Sequence, residues 1–355
     1  MRTPSERYPC GWRLAALLIL AASGLASCGG SGYGGGGGNM PVAGVGPSKL
    51  FAADSTNMVV GSLANRDPAA GSLMVDRLIG KQPNAIPYNY VGFTANLASL
   101  ALDTARDILY VGNGASIIAL HAASTANGDF FLLPPDGSFG SIGNTGSMFL
   151  DSTNDRLYVG DDPNNVKVYS PASTASGSSP TPRLITGMST PIHGVAVDVT
   201  NKILYVSNDT VGVSTTHQIM VFDSADTVTN ASPNRTITPT VLAVNLAVGG
   251  ISLDATHDRL YVAPGVGGNG IMVFNTASAA NGAIAPDKTL TIAAAAAGIL
   301  NVVVDAVNDR LYAVGSNGHI YLIEAVGTLN TGNAAAMDAS LSNGGMLTAV
   351  AVNPN

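Results

Sequence analysis

The chain has 355 residues, 46% hydrophobic and only 11% charged, with a formal net charge of −7. That balance excludes intrinsic disorder over most of the length, because disordered chains are rich in charge and poor in apolar residues. An acidic chain without a Lys/Arg run would repel a phosphate backbone, so no nucleic-acid partner is expected. Of the 23 acidic residues, only Glu6 and Glu324 are glutamates. Aspartate competes with the helical backbone and favours turns, so an Asp-, Gly-, Asn- and Thr-rich chain reads as strands joined by tight turns. The expected fold class is all-β.

In chain order, the first element is a targeting segment, residues 1–27. Arg2, Arg7 and Arg13 against Glu6 give it a positive start, and Leu14 to Ala22 is an apolar run too short to remain as a membrane-spanning helix. Leu25-Ala26-Ser27-Cys28 follows, and this resembles the lipobox of bacterial lipoproteins. The resemblance implies diacylglycerol on the Cys28 thiol, cleavage before Cys28 and acylation of the new N-terminus. The other reading is an ordinary signal peptide with an incidental cysteine.

Residues 28–46 are then the lipidated cysteine and a Gly-rich tether, in which Gly29 to Gly38 reads GGSGYGGGGG. Ten such residues form a flexible coil with a root-mean-square reach of roughly 15–20 Å. Two or more acyl chains on one cysteine meet the two-signal condition for stable anchoring, so the membrane is an expected partner. Gly29 is not the aspartate that the lipoprotein family associates with retention in the inner membrane. In a Gram-negative cell that implies the outer membrane, with the domain periplasmic or surface-exposed. Cys10 leaves with the targeting segment and Cys28 carries lipid, so the domain at 47–355 has no cysteine for a disulfide, a thiolate metal site or a nucleophile. Trp12 leaves too, and losing three Arg together with Glu6 takes the net charge from −7 to −9.

A repeat fills the remainder. Leu102-Asp103 with Asp107-Ile108-Leu109-Tyr110-Val111 recurs at Asp151/Asp155-Arg156-Leu157-Tyr158-Val159 and at Asp198/Lys202-Ile203-Leu204-Tyr205-Val206. It recurs again at Asp254/Asp258-Arg259-Leu260-Tyr261-Val262 and Asp305/Asp309-Arg310-Leu311-Tyr312-Ala313. The first aspartates step by 48, 47, 56 and 51 residues, and chance does not supply five matches at such spacing. Each unit predicts four strands: an apolar run ending in Asp, the LYV strand, a third such as Ile219 to Asp223, and a short fourth near Arg183, Arg235 or Lys288. Four strands in about 50 residues without helical periodicity indicate a propeller blade.

Lys49 to Asp54 matches the LYV strand without an inner strand before it, and Leu347 to Asn353 matches the inner strand with nothing after it. The expectation is therefore a six-bladed β-propeller closed by the C-terminal strand pairing with the N-terminal strands. Residues 51–108 form the longest interval, which leaves seven blades as the alternative. Pro191-Ile192-His193-Gly194-Val195-Ala196-Val197-Asp198, Leu204 to Asn208 and Ile219 to Asp223 resemble bacterial NHL-type and YVTN-type propeller repeats. That resemblance implies architecture over nearly all of 47–355 and says little of activity, since such propellers serve as scaffolds, binding modules and occasional enzymes. The Trp-Asp signature of WD40 repeats is absent.

Residues that could carry chemistry mostly read as structural. The Asp pairs 103/107, 151/155, 254/258 and 305/309 recur at hairpin turns, where Asp bonds backbone N–H groups, whereas a catalytic pair is needed once. The LYV tyrosines are expected to pack between blades with their hydroxyls satisfied near the rim. No pair among His121, His193, His217, His257 and His319 has metal-ligand spacing, so no metal, cofactor or catalytic residue is assigned. Glu324 is poorly placed for the channel metal of gluconolactonase-like propellers, and Ala293 to Ala297 reads as a linker.

What remains is one rim, where loops between second and third strands join those from each fourth strand to the next first strand. Candidate binding residues there are Tyr88, Tyr90, Phe93, Asn113, Asp161, Asp162, His193, Asn208 and Asp209, facing a protein, peptide or glycan partner; the other reading of the aromatic loop 80–96 is a cover for the closing seam. The expected function is a monomeric, envelope-anchored, non-catalytic binding or scaffolding module. The alternatives are a small-molecule hydrolase or lyase of the lactonase-like propeller type, and a structural surface component.

Overall fold

The computed structural model describes residues 49–54, 57–66, 73–80, 97–114, 116–125, 128–129, 137–140, 145–161, 164–188, 192–208, 217–240, 248–338 and 347–353. Among them the only helical elements are single 3₁₀ turns at Ala277–Ala279, Ala293–Ala295 and Val326–Thr328, and none is long and apolar enough to cross a membrane. Everything else regular is strand.

Local sequence explains each inner hairpin. In Asp151–Asp155 the first carboxylate accepts from Asn154 N (3.0 Å) and Asn154 Nδ2 (2.8 Å), which closes the turn. Asp198 with Asn201 and Asp305 with Asn308 repeat this, while Asp254 takes His257 N and Nδ1 instead. The last turn residue is left-handed, at φ 57 in Asp107, 54 in Asp155, 58 in Lys202 and 52 in Asp258 and Asp309. Aspartate tolerates that region better than most residues. Here it also reaches onward: Asp155 accepts from Ser173 N (2.8 Å) and Ser173 Oγ (2.6 Å), as Asp107 does from Ser124 and Asp258 from Ser278. The inner turn is thereby stitched to the bend that follows the third strand.

Strands then add in antiparallel order outward. The second sheet is Leu97–Asp103, Ile108–Asn113, Ser116–His121 and Gly137–Phe139; the third is Thr145–Asp151, Arg156–Asp161, Asn165–Tyr169 and Arg183–Ile185. The fourth runs from Ile192–Asp198 through Ile203–Asn208 and Gln218–Asp223 to Arg235–Pro239. In the fifth, Ile251–Asp254, Arg259–Val262, Gly270–Asn275 and Lys288–Thr291 follow one another, and in the sixth Gly298–Asp305, Arg310–Gly315, Ile320–Glu324 and Ala336–Asp338. The first sheet joins the two ends of the chain, ordered Leu347–Asn353, Lys49–Asp54, Asn57–Arg66, Leu73–Gly80. Its pairing of Asn353 with Lys49 and Val352 with Leu50 matches Asp103 with Ile108 and Leu102 with Leu109 in the second sheet. The long 51–108 interval, where the alternative put a further blade, instead supplies the third and fourth strands of this sheet.

Alternating side chains of each strand enter two different seams, so every sheet is apolar on both faces. Six such clusters lie between successive sheets: Leu109, Val111 and Ile118 pack with Phe51 and Ala351, while Tyr110, Ile117 and Phe139 pack with Leu157 and Tyr169. The remaining clusters join third to fourth, fourth to fifth and fifth to sixth sheets, and Tyr312 and Val314 of the sixth pack on Leu50 and Val350 of the first.

Outer edges are covered as well. Gly128–Asp129 pairs parallel to Leu73–Gly80, Gly282–Ile284 to Arg235–Pro239 and Gly332–Asn333 to Lys288–Thr291; each short strand comes from the sheet that follows in the chain. Such straps occupy edges that would otherwise be open to another chain. Cations tighten the same joints: Arg183 donates to Ala225 O (2.8 Å) and Val228 O, Arg235 to Ser278 O, and Lys288 to Gly327 O (3.3 Å).

Candidate functional site

At the end of the sheets opposite the aspartate turns, the inner strands carry a recurring irregularity. One extra residue is inserted, at Ala98, Gly146, His193, Leu300 and Thr348, as the broken registers show. Bulges of this kind turn the strand and re-aim neighbouring side chains. His193 is therefore the bulge residue of its sheet, half-buried, with Gly194 immediately beyond it against Ser207.

The inner strands enclose a cavity of about 230 Å³. Its wall is mostly Ala, Val, Leu and Ile, with Ser99, Ser147, Ser252 and Asn301 as the polar members, and no lining residue ionises near neutral pH. Two of these serines are already engaged across seams: Ser147 Oγ accepts from Val195 N (3.1 Å) and Ser252 Oγ from Val304 N (3.0 Å). The volume lies below the roughly 300–1,000 Å³ of drug-sized ligand sites.

Three second strands end in polar residues at this end of the sheets. Asn113, Asp161 and Asn208 hold the same place in successive sheets and are only 4%, 3% and 3% exposed. They were expected as rim contacts, and each is buried. Asp161 forms an ion pair with Lys167 Nζ at 2.7 Å, in a position that other third strands fill with Ile118, Met220 or Met272. Tyr169 lies beside this pair, and its phenol is pushed up to about 12, first by burial and then by the Asp161 carboxylate. Tyr88, Tyr90, Phe93, Asp162, Asp209 and Cys28 lie outside the described residues.

The LYV tyrosines also differ from expectation. Their hydroxyls reach the aspartate-turn end, not the rim. Tyr158 donates to Ala225 O (3.2 Å), whereas the buried hydroxyls of Tyr110 and Tyr205 have no hydrogen-bond partner among the described residues. No group of three or more His, Cys, Asp or Glu side chains is placed to hold a metal among the described residues. Ala293 to Ala297, read as a linker, includes a 3₁₀ turn whose Ala294 carbonyl accepts from Tyr321 OH (3.0 Å).

This arrangement of radial sheets about a central cavity has counterparts among solved structures. A chain in the crystal structure of a nidogen/laminin complex superposes with a TM-score of 0.56 over 86% of this chain and 98% of that one. The fold is an all-β propeller. At 13% sequence identity the likeness concerns the fold alone. No family model and no curated protein matches the chain.

Proposed function

We propose that this protein is a lipoprotein whose tether presents a closed six-bladed propeller of NHL/YVTN type from the cell envelope, where it works as a non-catalytic binding or scaffolding module. One observation carries the reading: the central cavity is small and walled by groups that neither ionise nor recur as a reactive set. The repeated aspartates, serines and tyrosines go into turns and seams, so the recurring chemistry of the chain builds a rigid frame. A rigid frame displaying loops suits recognition. Six seams and the pairing of Leu347–Asn353 with Lys49–Asp54 support the closed ring.

Cross-linking in the intact envelope followed by affinity capture tests it. Wild-type protein should retain a partner that a Tyr88→Ala/Tyr90→Ala/Phe93→Ala variant loses, with the variant folded by circular dichroism. Identical partner sets would remove the aromatic loop from the reading. Acyl labelling should depend on Cys28; labelling that survives Cys28→Ala would remove the anchor.

A further inference from the structure

A different feature sits at the aspartate-turn end, between the third and fourth sheets. A cleft of about 150 Å³ opens there, lined among others by Asp151, Asn154, Arg156, Tyr158, Lys202 and Asp226. We propose that this cleft binds a single oxyanion, phosphate or carboxylate, held between Arg156 and Lys202.

Comparison with a sister seam shows why. Between the fifth and sixth sheets, Arg259 occupies the place of Arg156, and the turn residue facing it is Asp309. A Cβ built on Gly327 would lie 2.6 Å from Arg259 Nη1 and 2.9 Å from Asp309 Oδ1, so cation and carboxylate converge over that glycine. In the fourth sheet the turn residue is Lys202, and Asp226 stands where Gly327 does. Lys202 Nζ donates to Asp226 Oδ2 at 2.9 Å, in place of the Asp–Ser pairing of the second, third and fifth sheets. That hydrogen bond is the main reason the Asp226 carboxyl is held below its usual range.

The exchange leaves Arg156 without an ion pair of its own: the Asp226 carboxylate, which feels both cations, is bonded to Lys202, and the Arg156 guanidinium bonds Tyr158. Asp226 is engaged by Lys202, and Asp151, 4% exposed, is engaged by Asn154. Among the described residues Arg156 makes no ion pair. Arg183 stands behind the cleft with its own donors on Ala225 O and Val228 O. Three cations therefore face two carboxylates in a protein that is acidic as a whole. A planar guanidinium presents parallel donors that match two oxygens of one anion, and a lysine adds a mobile point charge. The space equals about five water volumes, enough for one anionic group and too little for a larger ligand body.

The test is titration of the purified full-length chain with inorganic phosphate and, separately, acetate, read by calorimetry and by amide chemical shifts. The decisive variant is Lys202→Asp/Asp226→Ser, which installs the Asp–Ser pair of the second, third and fifth sheets and gives Arg156 a carboxylate. At least one of the two anions should bind wild type with shifts centred on Arg156 and Lys202. Affinity should fall at least tenfold in Arg156→Gln, while the double variant should show no binding at the cleft. Should the double variant fail to fold, Arg156→Gln alone decides. An equal response in wild type and the deciding variant, shifts elsewhere only, or no response to either anion would overturn the proposal.

Discussion

Raising the pH from about 9 to about 11 should strip the domain of stability through its buried tyrosines. Tyr110, Tyr169 and Tyr205 are at most 1% exposed, and burial, the largest cause, pushes each phenol up, Tyr169 to about 12. The carboxylates of Asp155, Asp161 and Asp258 push in the same direction. In the unfolded chain these phenols titrate near ~10. Because the folded values are the higher ones, the stability they contribute is whole below about pH 10 and is lost as pH climbs toward the folded values. At about pH 11 each tyrosine that keeps its proton in the native state costs ~1.4 kcal/mol relative to the unfolded chain. Three of them cost about 4 kcal/mol, a large part of the 5–15 kcal/mol typical of a domain. Urea unfolding at fixed pH values, with tyrosinate absorbance read on the same samples, measures both quantities. Tyrosinate forming fully near ~10 in the folded domain, with an unchanged urea midpoint up to about pH 11, would refute the reasoning.

Four substitutions probe the frame. Tyr110→Phe removes a buried, unpartnered hydroxyl and should leave stability unchanged or raise it by up to about 1 kcal/mol, whereas Tyr158→Phe forfeits the bond to Ala225 O and should lower it by about 1 kcal/mol; denaturation midpoints at matched m-values separate the two. Asp155→Ala gives up both bonds to Ser173 and leaves an alanine in the left-handed region, so a loss of about 2–4 kcal/mol is expected by urea denaturation. Gly187→Ala would set a Cβ 2.4 Å from Ala231 O at a φ of 100, and thermal unfolding should show a loss of at least about 2 kcal/mol.

The inner three strands of each unit were readable because two local signals coincide there: alternating apolar residues and an Asp-x-x-x-Asp turn whose hydrogen bonds close within the hairpin. Lys202 breaks the repeat's Asp position in the sequence, but its answering residue, Asp226, lies beyond the third strand, where no local pattern links the two. Straps such as Gly128–Asp129 are too short to leave a pattern. Arg183, Arg235 and Lys288 were visible at the fourth strands, but their work as clamps depends on carbonyls of the neighbouring sheet. At the ends of their second strands, Asn113, Asp161 and Asn208 carried residue types that suit a rim. Their burial is set by tertiary packing, which residue type does not announce, and the bulges beside them break register without a distinctive residue: Ala, Gly, His, Leu and Thr all occupy them.

The place of Lys49–Asp54 in its sheet bears on how the domain carries a mechanical load. This strand is flanked on both sides, by Leu347–Asn353 and by Asn57–Arg66, with both ladders antiparallel. Tension applied through the residues ahead of Lys49 pulls the strand along its own axis. Five rungs on one flank and six on the other are then strained together in shear, instead of failing one after another as they would if the strand were peeled sideways. The strand where such tension enters is thus held by two ladders at once, as the second strand of each other sheet is.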